Sequence, residues 1–416
     1  MVSQPDSEPY RLPEPACLIR RVRVRNYKSI RHVDVSLSPF TILVGRNGSG
    51  KSNFLDALHF VADSLQVSLD HATDSRNGVE SVVRRTSDGP TSLSIELELS
   101  LPSGNIAEYR LELQPNRYRF TVQRESLIVR SAGDRGDRIG HYEAYRGEIE
   151  RASIQNPPPA DEDRLYLIKA SGFDPFREAY EALTVMGFYN LNPETMRALQ
   201  SRGPGDLLHR DGANVASVVR RLQPEERTRL DSYLAAIVPG LVRVRALSLG
   251  PRETLVFRQK VTGENRPATF YASNMSDGTL RVTGILAAVA QLSDQQKPVT
   301  LIGIEEPETA LHPAAARALM DALREASVQT QVLVTTHSPD LLDQVQMEHE
   351  RLLAVSSQEG ITRIASLDRA SREAIRGSLF TPGELLRLDQ LEPDLRDLAR
   401  QEQTEDDAPT ADRSNR

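Results

Sequence analysis

Residues 40–52 read FTILVGRNGSGKS, and this stretch decides the fold. Phe40 to Val44 is a continuous apolar run of the kind shown by a strand buried on both faces. Gly45-Arg46-Asn47-Gly48-Ser49-Gly50-Lys51-Ser52 then fits the pattern G-x-x-x-x-G-K-[ST]. Asn53 to Leu65 follows, with Phe54, Leu58, Val61 and Leu65 at helical spacing. A buried strand, a glycine-rich loop and a helix in that order make a phosphate cradle. Glycine lets successive backbone N–H groups wrap an anion at a helix N-terminus, where the helix dipole favours negative charge. Lys51 is expected to reach the β- and γ-phosphates of ATP, and the Ser52 hydroxyl to ligate Mg²⁺. Asn47, Gly48, Ser49, Gly50 and Asn53 complete the expected nucleotide-binding set.

Upstream, residues 18–38 alternate as short β segments; downstream, TSLSIELELSL, IAEYRLEL and YRFTVQRESLIV read as antiparallel hairpin strands. Residues 132–165 are rich in Gly, Asp, Arg and Pro and read as a loop or extended hairpin. From 175 to 240 the pattern is helical, but Pro193, Pro204, Pro224 and Pro239 divide it, which excludes a long coiled coil. Strands near 242–248 and 253–261 and a helix near 279–292 follow. VTLIGIEE, QVLVTT and RLLAVSS then alternate with helices, the signature of a parallel α/β sheet. The fold class is therefore α/β, a P-loop NTPase head in which a mixed β lobe joins a parallel α/β core carrying a helical insertion. The expected division is a disordered tail at 1–16, the first part of the head at 17–130, a loop and helical insertion at 131–240, the second part at 241–400 and a disordered acidic tail at 401–416.

Leu301 to Glu306 is a second buried strand, ending in two carboxylates. Alone, Glu305-Glu306 also reads as a solvated turn; beside a phosphate loop it reads as a ligand site at the C-terminal edge of a parallel sheet. Neighbouring side chains on a strand diverge, so Glu305 is assigned to the Mg²⁺ shell and Glu306 to the attacking water. His337 follows the strand Gln331–Thr336 at the same edge and could hydrogen-bond a γ-phosphate, or cap a helix. His312 opens the next helix and reads more readily as a cap. Ser276 and Gly278, in SDGT before a helix, make a second N-terminal anion position or a simple cap.

In this order the four motifs resemble the nucleotide-binding heads of the ABC superfamily, within it the soluble RecF/SMC-like group, and most nearly the AAA-type ATPases related to the OLD family. EEPETALHP followed by TTHSP carries that resemblance over residues 18–390. The resemblance implies that Ser276 and Gly278 contact the γ-phosphate bound to another subunit, so that two ATPs lie between head-to-tail protomers. It also places Lys28 and Ser29 near the nucleotide. Three departures stand out: MSDGT replaces the LSGGQ of transporters, Glu305 stands where many relatives have Asp, and no lid glutamine is identifiable between 165 and 200. OLD-type nucleases append a metal-dependent nuclease domain, and the stretch after RLLAVSS is too brief for one, so a nuclease or toxin-like effector is expected to be a separate polypeptide.

The chain has 416 residues, 39% hydrophobic and 26% charged, and its net charge of -7 is concentrated in the two termini. No apolar run approaches the roughly 18 residues of a membrane span, no export signal core is visible, and Cys17 is the single cysteine. These features exclude a disulfide scaffold and a Cys-based metal site, and they lead to the expectation of a cytoplasmic protein with no membrane partner. The leading expectation is a Mg²⁺-dependent ATPase dimer that gates an effector in bacterial anti-phage or foreign-DNA defence. The alternative is an ATP-switched DNA clamp or repair factor of RecF type, resting on Arg20, Arg21, Arg23, Arg25, Lys28 and Arg31 with Arg117, Arg119 and Arg124. A nucleotide-binding scaffold with little turnover is the third reading.

Overall fold

The computed structural model describes residues 15–85, 91–133, 136–293 and 299–406. Its first three strands are β1 (Leu18–Tyr27), β2 (Ile30–Ser36) and β3 (Phe40–Val44). An arm of β4 (Leu93–Ser100), β5 (Ile106–Pro115), β6 (Phe120–Arg130), β7 (Arg138–Tyr145) and β8 (Glu148–Ala152) follows. The middle of the chain supplies β9 (Met186–Tyr189), β10 (Gln200–Ser201), β11 (Leu241–Leu249), β12 (Arg252–Gln259) and β13 (Ala268–Tyr271). The last strands are β14 (Leu301–Glu305), β15 (Gln331–Thr336), β16 (Arg351–Gln358) and β17 (Ile361–Ser366). Thirteen of these form one sheet in the order β8-β7-β6-β5-β4-β1-β2-β17-β16-β3-β15-β14-β9, and β10, β11 and β13 join β12 in a second.

The large sheet changes character along its width. From β8 to β2 it is antiparallel; from β16 through β3, β15 and β14 to β9 it is parallel. The parallel strands are apolar along their central residues, and these side chains alternate between two cores. Leu43 and Leu333 join the cluster built on the helix Lys51–Gln66, while Ile42, Val44, Val332 and Val334 join the one under the helices Pro224–Ile237, Asp277–Ala290 and Ala316–Ser327. Burial on both faces is why these strands read as unbroken hydrophobic runs.

Two expectations are corrected. Within 131–240, Arg138–Ala152 takes the extended-hairpin alternative and continues the antiparallel arm, but the stretch from 175 is not helical throughout: Met186–Tyr189 is the edge strand of the parallel core. Four apolar residues directly after the helix Asp174–Thr184 carry too few turns of pattern to separate strand from helix. The C-terminal tail does not begin at 401, because a helix runs from Leu395 to Asp406. Buried Gln401 anchors it, accepting from the Asp34 N–H at 3.2 Å and donating to the Ile364 carbonyl at 2.9 Å. The expected disorder of the remaining terminal residues lies outside the described residues. None of the described helices is long and apolar enough to cross a membrane.

The arm is joined to the chain beyond it by one buried carboxylate. Glu125 on β6 is fully buried and accepts from Tyr142 Oη at 2.8 Å, Tyr109 Oη at 3.2 Å, Leu167 N–H at 2.9 Å and Tyr166 N–H. Burial raises its pKa above the usual carboxylate value, opposed by these donors. Glu125→Ala should therefore lower stability by about 3 kcal/mol or more, since several buried donors lose their acceptor; a urea midpoint equal to wild type would contradict this. A raised folded-state pKa means the folded chain binds the proton more tightly. That contribution is complete below the unfolded carboxyl pKa and is lost as pH rises through the folded one. Glu125→Gln should flatten the dependence over that window.

Candidate functional site

Parallel pairing aligns the ends of three strands. Val44 is opposite Thr336, and Thr335 is opposite Glu305, so the phosphate loop, His337 and the acidic pair leave the sheet along one edge. Gly48 and Gly50 take φ of 77° and 100°, and a Cβ on Gly50 would come within 1.8 Å of Thr362 Oγ1. Both positions therefore require glycine. Asn47 and Gly48 are exposed, Ser49 and Lys51 are buried, and the Ser52 residue is exposed at the start of the helix.

Lys51 folds back on its own loop. Its Nζ donates to the carbonyls of Gly45 at 2.8 Å and Arg46 at 2.9 Å. Burial lowers its pKa from the ordinary lysine value, and the Glu306 and Glu308 carboxylates oppose that shift. The buried Ser49 Oγ has no hydrogen-bond partner among the described residues. A buried ammonium held only by carbonyls, an unsatisfied hydroxyl and open space at Gly48 fit the phosphates of a nucleotide. Ser52 hydroxyl and the nearby carboxylates are hard oxygen donors of the type that suits a divalent cation such as Mg²⁺.

The two glutamates diverge. Glu305 Oε1 accepts from Arg210 Nη2 at 2.8 Å, while Glu306 Oε1 lies 3.1 Å from His337 Nδ1, without the alignment of a hydrogen bond. Glu306 has φ of 44°, held by its N–H, which donates to the Thr335 carbonyl at 3.0 Å. Strain of this kind concentrates at functional positions. Glu308, two residues on, ties the acidic turn to the histidine turn: Thr336 Oγ1 donates to its Oε1 at 2.6 Å and the His337 N–H at 3.3 Å. Burial raises the Glu308 pKa, with the Thr336 bond opposing.

The remaining candidates fall into two groups. Asn53 Nδ2 donates to Ser29 Oγ at 2.6 Å, and Ser29 Oγ is 2.6 Å from Thr362 Oγ1, which donates to the Ser49 carbonyl at 3.0 Å. Lys28 turns to Asp56 of the first helix, with Nζ 2.5 Å from Oδ2. Ser276 caps its helix by accepting from Thr279 N–H at 3.3 Å, and a Cβ on Gly278 would lie 2.1 Å from the Ala310 carbonyl. Their hydrogen bonds among the described residues do not reach the phosphate loop of the same chain. His312 Nδ1 accepts from Ala314 N–H at 3.2 Å, a cap. Thr362, Glu308 and Arg210 carry no motif of their own; only Glu308 lies inside a quoted one, EEPETALHP.

A phosphate loop, an acidic strand end and a histidine turn on one edge of such a sheet define an ABC-superfamily ATPase head of the RecF/SMC/OLD type. The family model described as "AAA domain, putative AbiEii toxin, Type IV TA system" matches residues 40–343, and the chain belongs to that family. It is 24% identical to the Old nuclease of Escherichia phage P2 over 77% of this chain and 56% of that protein. It is 21% identical to Endonuclease GajA of Bacillus cereus (strain VD045) over 88% of this chain and 64% of that one. The chain spans less than two thirds of the length of the curated relatives it matches. The fold is that of an SMC head solved bound to the C-winged helix domain of ScpA, with TM-score 0.51 and 16% identity over 85% of this chain and 99% of the other.

The bracing of the phosphate loop by β17 can be tested by removing one atom. Thr362→Val leaves the Ser49 carbonyl and Ser29 hydroxyl without that partner and should weaken binding of a fluorescent ATP analogue about five-fold, the equivalent of one hydrogen bond near 1 kcal/mol. Thr362→Ser should retain most of the affinity. Equal affinity in Thr362→Val and wild type would remove the brace.

Proposed function

We propose that the chain is a Mg²⁺-dependent ATPase whose nucleotide sites close between two head-to-tail copies and gate a separate effector. The observation that carries this reading is the shared edge, where Lys51, Glu305, Glu306 and His337 converge. Lys51, leaving the loop carbonyls, would bind the β- and γ-phosphates together with the loop amides. Mg²⁺ held by Ser52 and Glu305 would supply neutralisation of the charge that builds on the phosphates. Glu306 would orient the attacking water and take its proton, and His337, whose Nδ1 lies 3.1 Å from Glu306 Oε1, would hydrogen-bond the γ-phosphate. Ser276 and Gly278, at the start of their helix, would meet the phosphates of a second copy.

The relatives named as nucleases and the family model's putative toxin support reading the effector as a nuclease or toxin-like partner of a cytoplasmic complex, and the defence role rests on family resemblance. The mass of the protein in solution tests the core of the proposal. ATP with Mg²⁺ should produce dimers that Glu306→Gln traps and Ser276→Arg abolishes. A mass indifferent to nucleotide in all three proteins would reject the shared site.

The DNA-clamp reading keeps a different surface from the one that suggested it. Arg21 pairs with Asp34 at 2.6 Å, Arg23 with Asp34 and Glu96, and Arg124 with Glu143 at 2.9 Å, so much of the basic run is neutralised across the sheet. On the second sheet, however, exposed Arg243 and Arg258 are direct cross-strand partners, an unfavourable like-charge pair in isolation. Neither has a carboxylate partner among the described residues. If that surface meets nucleic-acid phosphates, Arg243→Glu with Arg258→Glu should reduce duplex affinity and flatten its salt dependence. Binding unaltered in affinity and salt slope would end this reading.

A further inference from the structure

Glu305 already has a cation in this structure. Its side chain is 14% exposed and bonded to Arg210, whose side chain is 44% exposed. The loop carrying Arg210 is fixed by its backbone: the Arg210 carbonyl accepts from Asn190 N–H at 2.9 Å and the Asp211 carbonyl from Asn192 N–H at 3.0 Å. Within the loop, His209 N–H donates to Asn214 Oδ1 at 2.7 Å and Asn214 Nδ2 to the Leu207 carbonyl at 2.8 Å. The guanidinium is therefore a half-exposed head on a long flexible stem, anchored to a rigid base beside the end of β9. It can leave Glu305 by rotamer change alone, with no opening of the loop.

Arg210 occupies Glu305 Oε1, and a guanidinium and a divalent cation held on the same small carboxylate repel each other, so each weakens the hold of the other. We propose that Arg210 and the metal exchange on Glu305: Arg210 neutralises the carboxylate while the site is empty, and the arriving metal displaces it. This inference rests on the reading of Glu305 as a metal ligand. The exchange makes the head respond to metal and nucleotide together, since a metal ion alone must break the Arg210 pair without the added attraction of the phosphates. Arg281, on the helix Asp277–Ala290, lines the same cleft as Glu305 and Glu306 and has no acidic partner among the described residues. It supplies a control for the general field of the cleft.

Mn²⁺ is the probe, followed by electron paramagnetic resonance on the full chain, first without nucleotide and then with ADP. Arg210→Ala should bind Mn²⁺ about three-fold tighter than wild type or more, consistent with a half-exposed ion pair. The gain should be larger without nucleotide than with ADP. Arg210→Lys should restore most of the competition, and Arg281→Ala should produce a smaller gain than Arg210→Ala. Equal Mn²⁺ affinity in Arg210→Ala and wild type, weaker binding in Arg210→Ala, or an equal gain in Arg281→Ala would overturn the exchange. Glu305→Gln separates the two levels of argument. If it leaves Mn²⁺ binding intact, Glu305 is no metal ligand and the underlying reading fails; if it abolishes binding while Arg210→Ala changes nothing, only the exchange fails.

Discussion

Parallel register is the constraint on which the site depends. Because β15 lies between β3 and β14, with Thr336 beside Val44 and Thr335 beside Glu305, each strand releases its chain at nearly the same level. Gly45, His337 and Glu306 are the next residues out. Residues separated by nearly three hundred positions in sequence thus meet without any of them reaching. A slip of one residue in β15 would invert its side chains between the two cores and move His337 off the carboxylate. The apolar filling of both cores is what forbids that slip, so packing far from the edge sets the geometry at the edge.

Polar contacts beneath the edge convert this alignment into rigid turns. Thr362 and Ser29 hold the phosphate loop from the β17 side, while Glu308 bonds Thr336 and the His337 amide so that the acidic and histidine turns move as one. A similar network supports the first helix, where Asp56 receives Arg76, Lys28 and the Tyr27 hydroxyl. Lys28, which family resemblance places near nucleotide, is occupied there. These carboxylates are buried or nearly so, and each has several donors, the condition under which buried charge is tolerated.

What could be read in the sequence, and what could not, follows from the range of the forces involved. The phosphate loop, both strand-end motifs and the antiparallel arm are local patterns: glycine spacing, apolar runs and period-two alternation occupy adjacent residues. Met186–Tyr189 was hidden because four residues cannot declare a period and a helix abuts them. Thr362 and Arg210 were hidden for another reason. Thr362 matters only because β17 pairs beside β2, bringing it under Ser49, and Arg210 only because its loop crosses the end of β9. Neither fact exists before the sheet is assembled. The basic run on β1 shows the converse error, since a row of arginines on one strand says nothing about the acids that the neighbouring strands bring opposite.

Two charged groups of the edge are already held by the protein. Lys51 is bonded to loop carbonyls, Glu305 to Arg210, and Glu306 faces His337. Lys51 and Glu305 are thereby spared the penalty of standing unpaired in a partly buried place. Such an arrangement favours selectivity over affinity, because a ligand must replace several internal contacts at once. A polyphosphate with its cation can do so: anionic oxygens replace the carbonyls at Lys51, and the cation replaces the guanidinium at Glu305. A bare anion or a bare cation replaces only one of them and leaves the other contact competing against it.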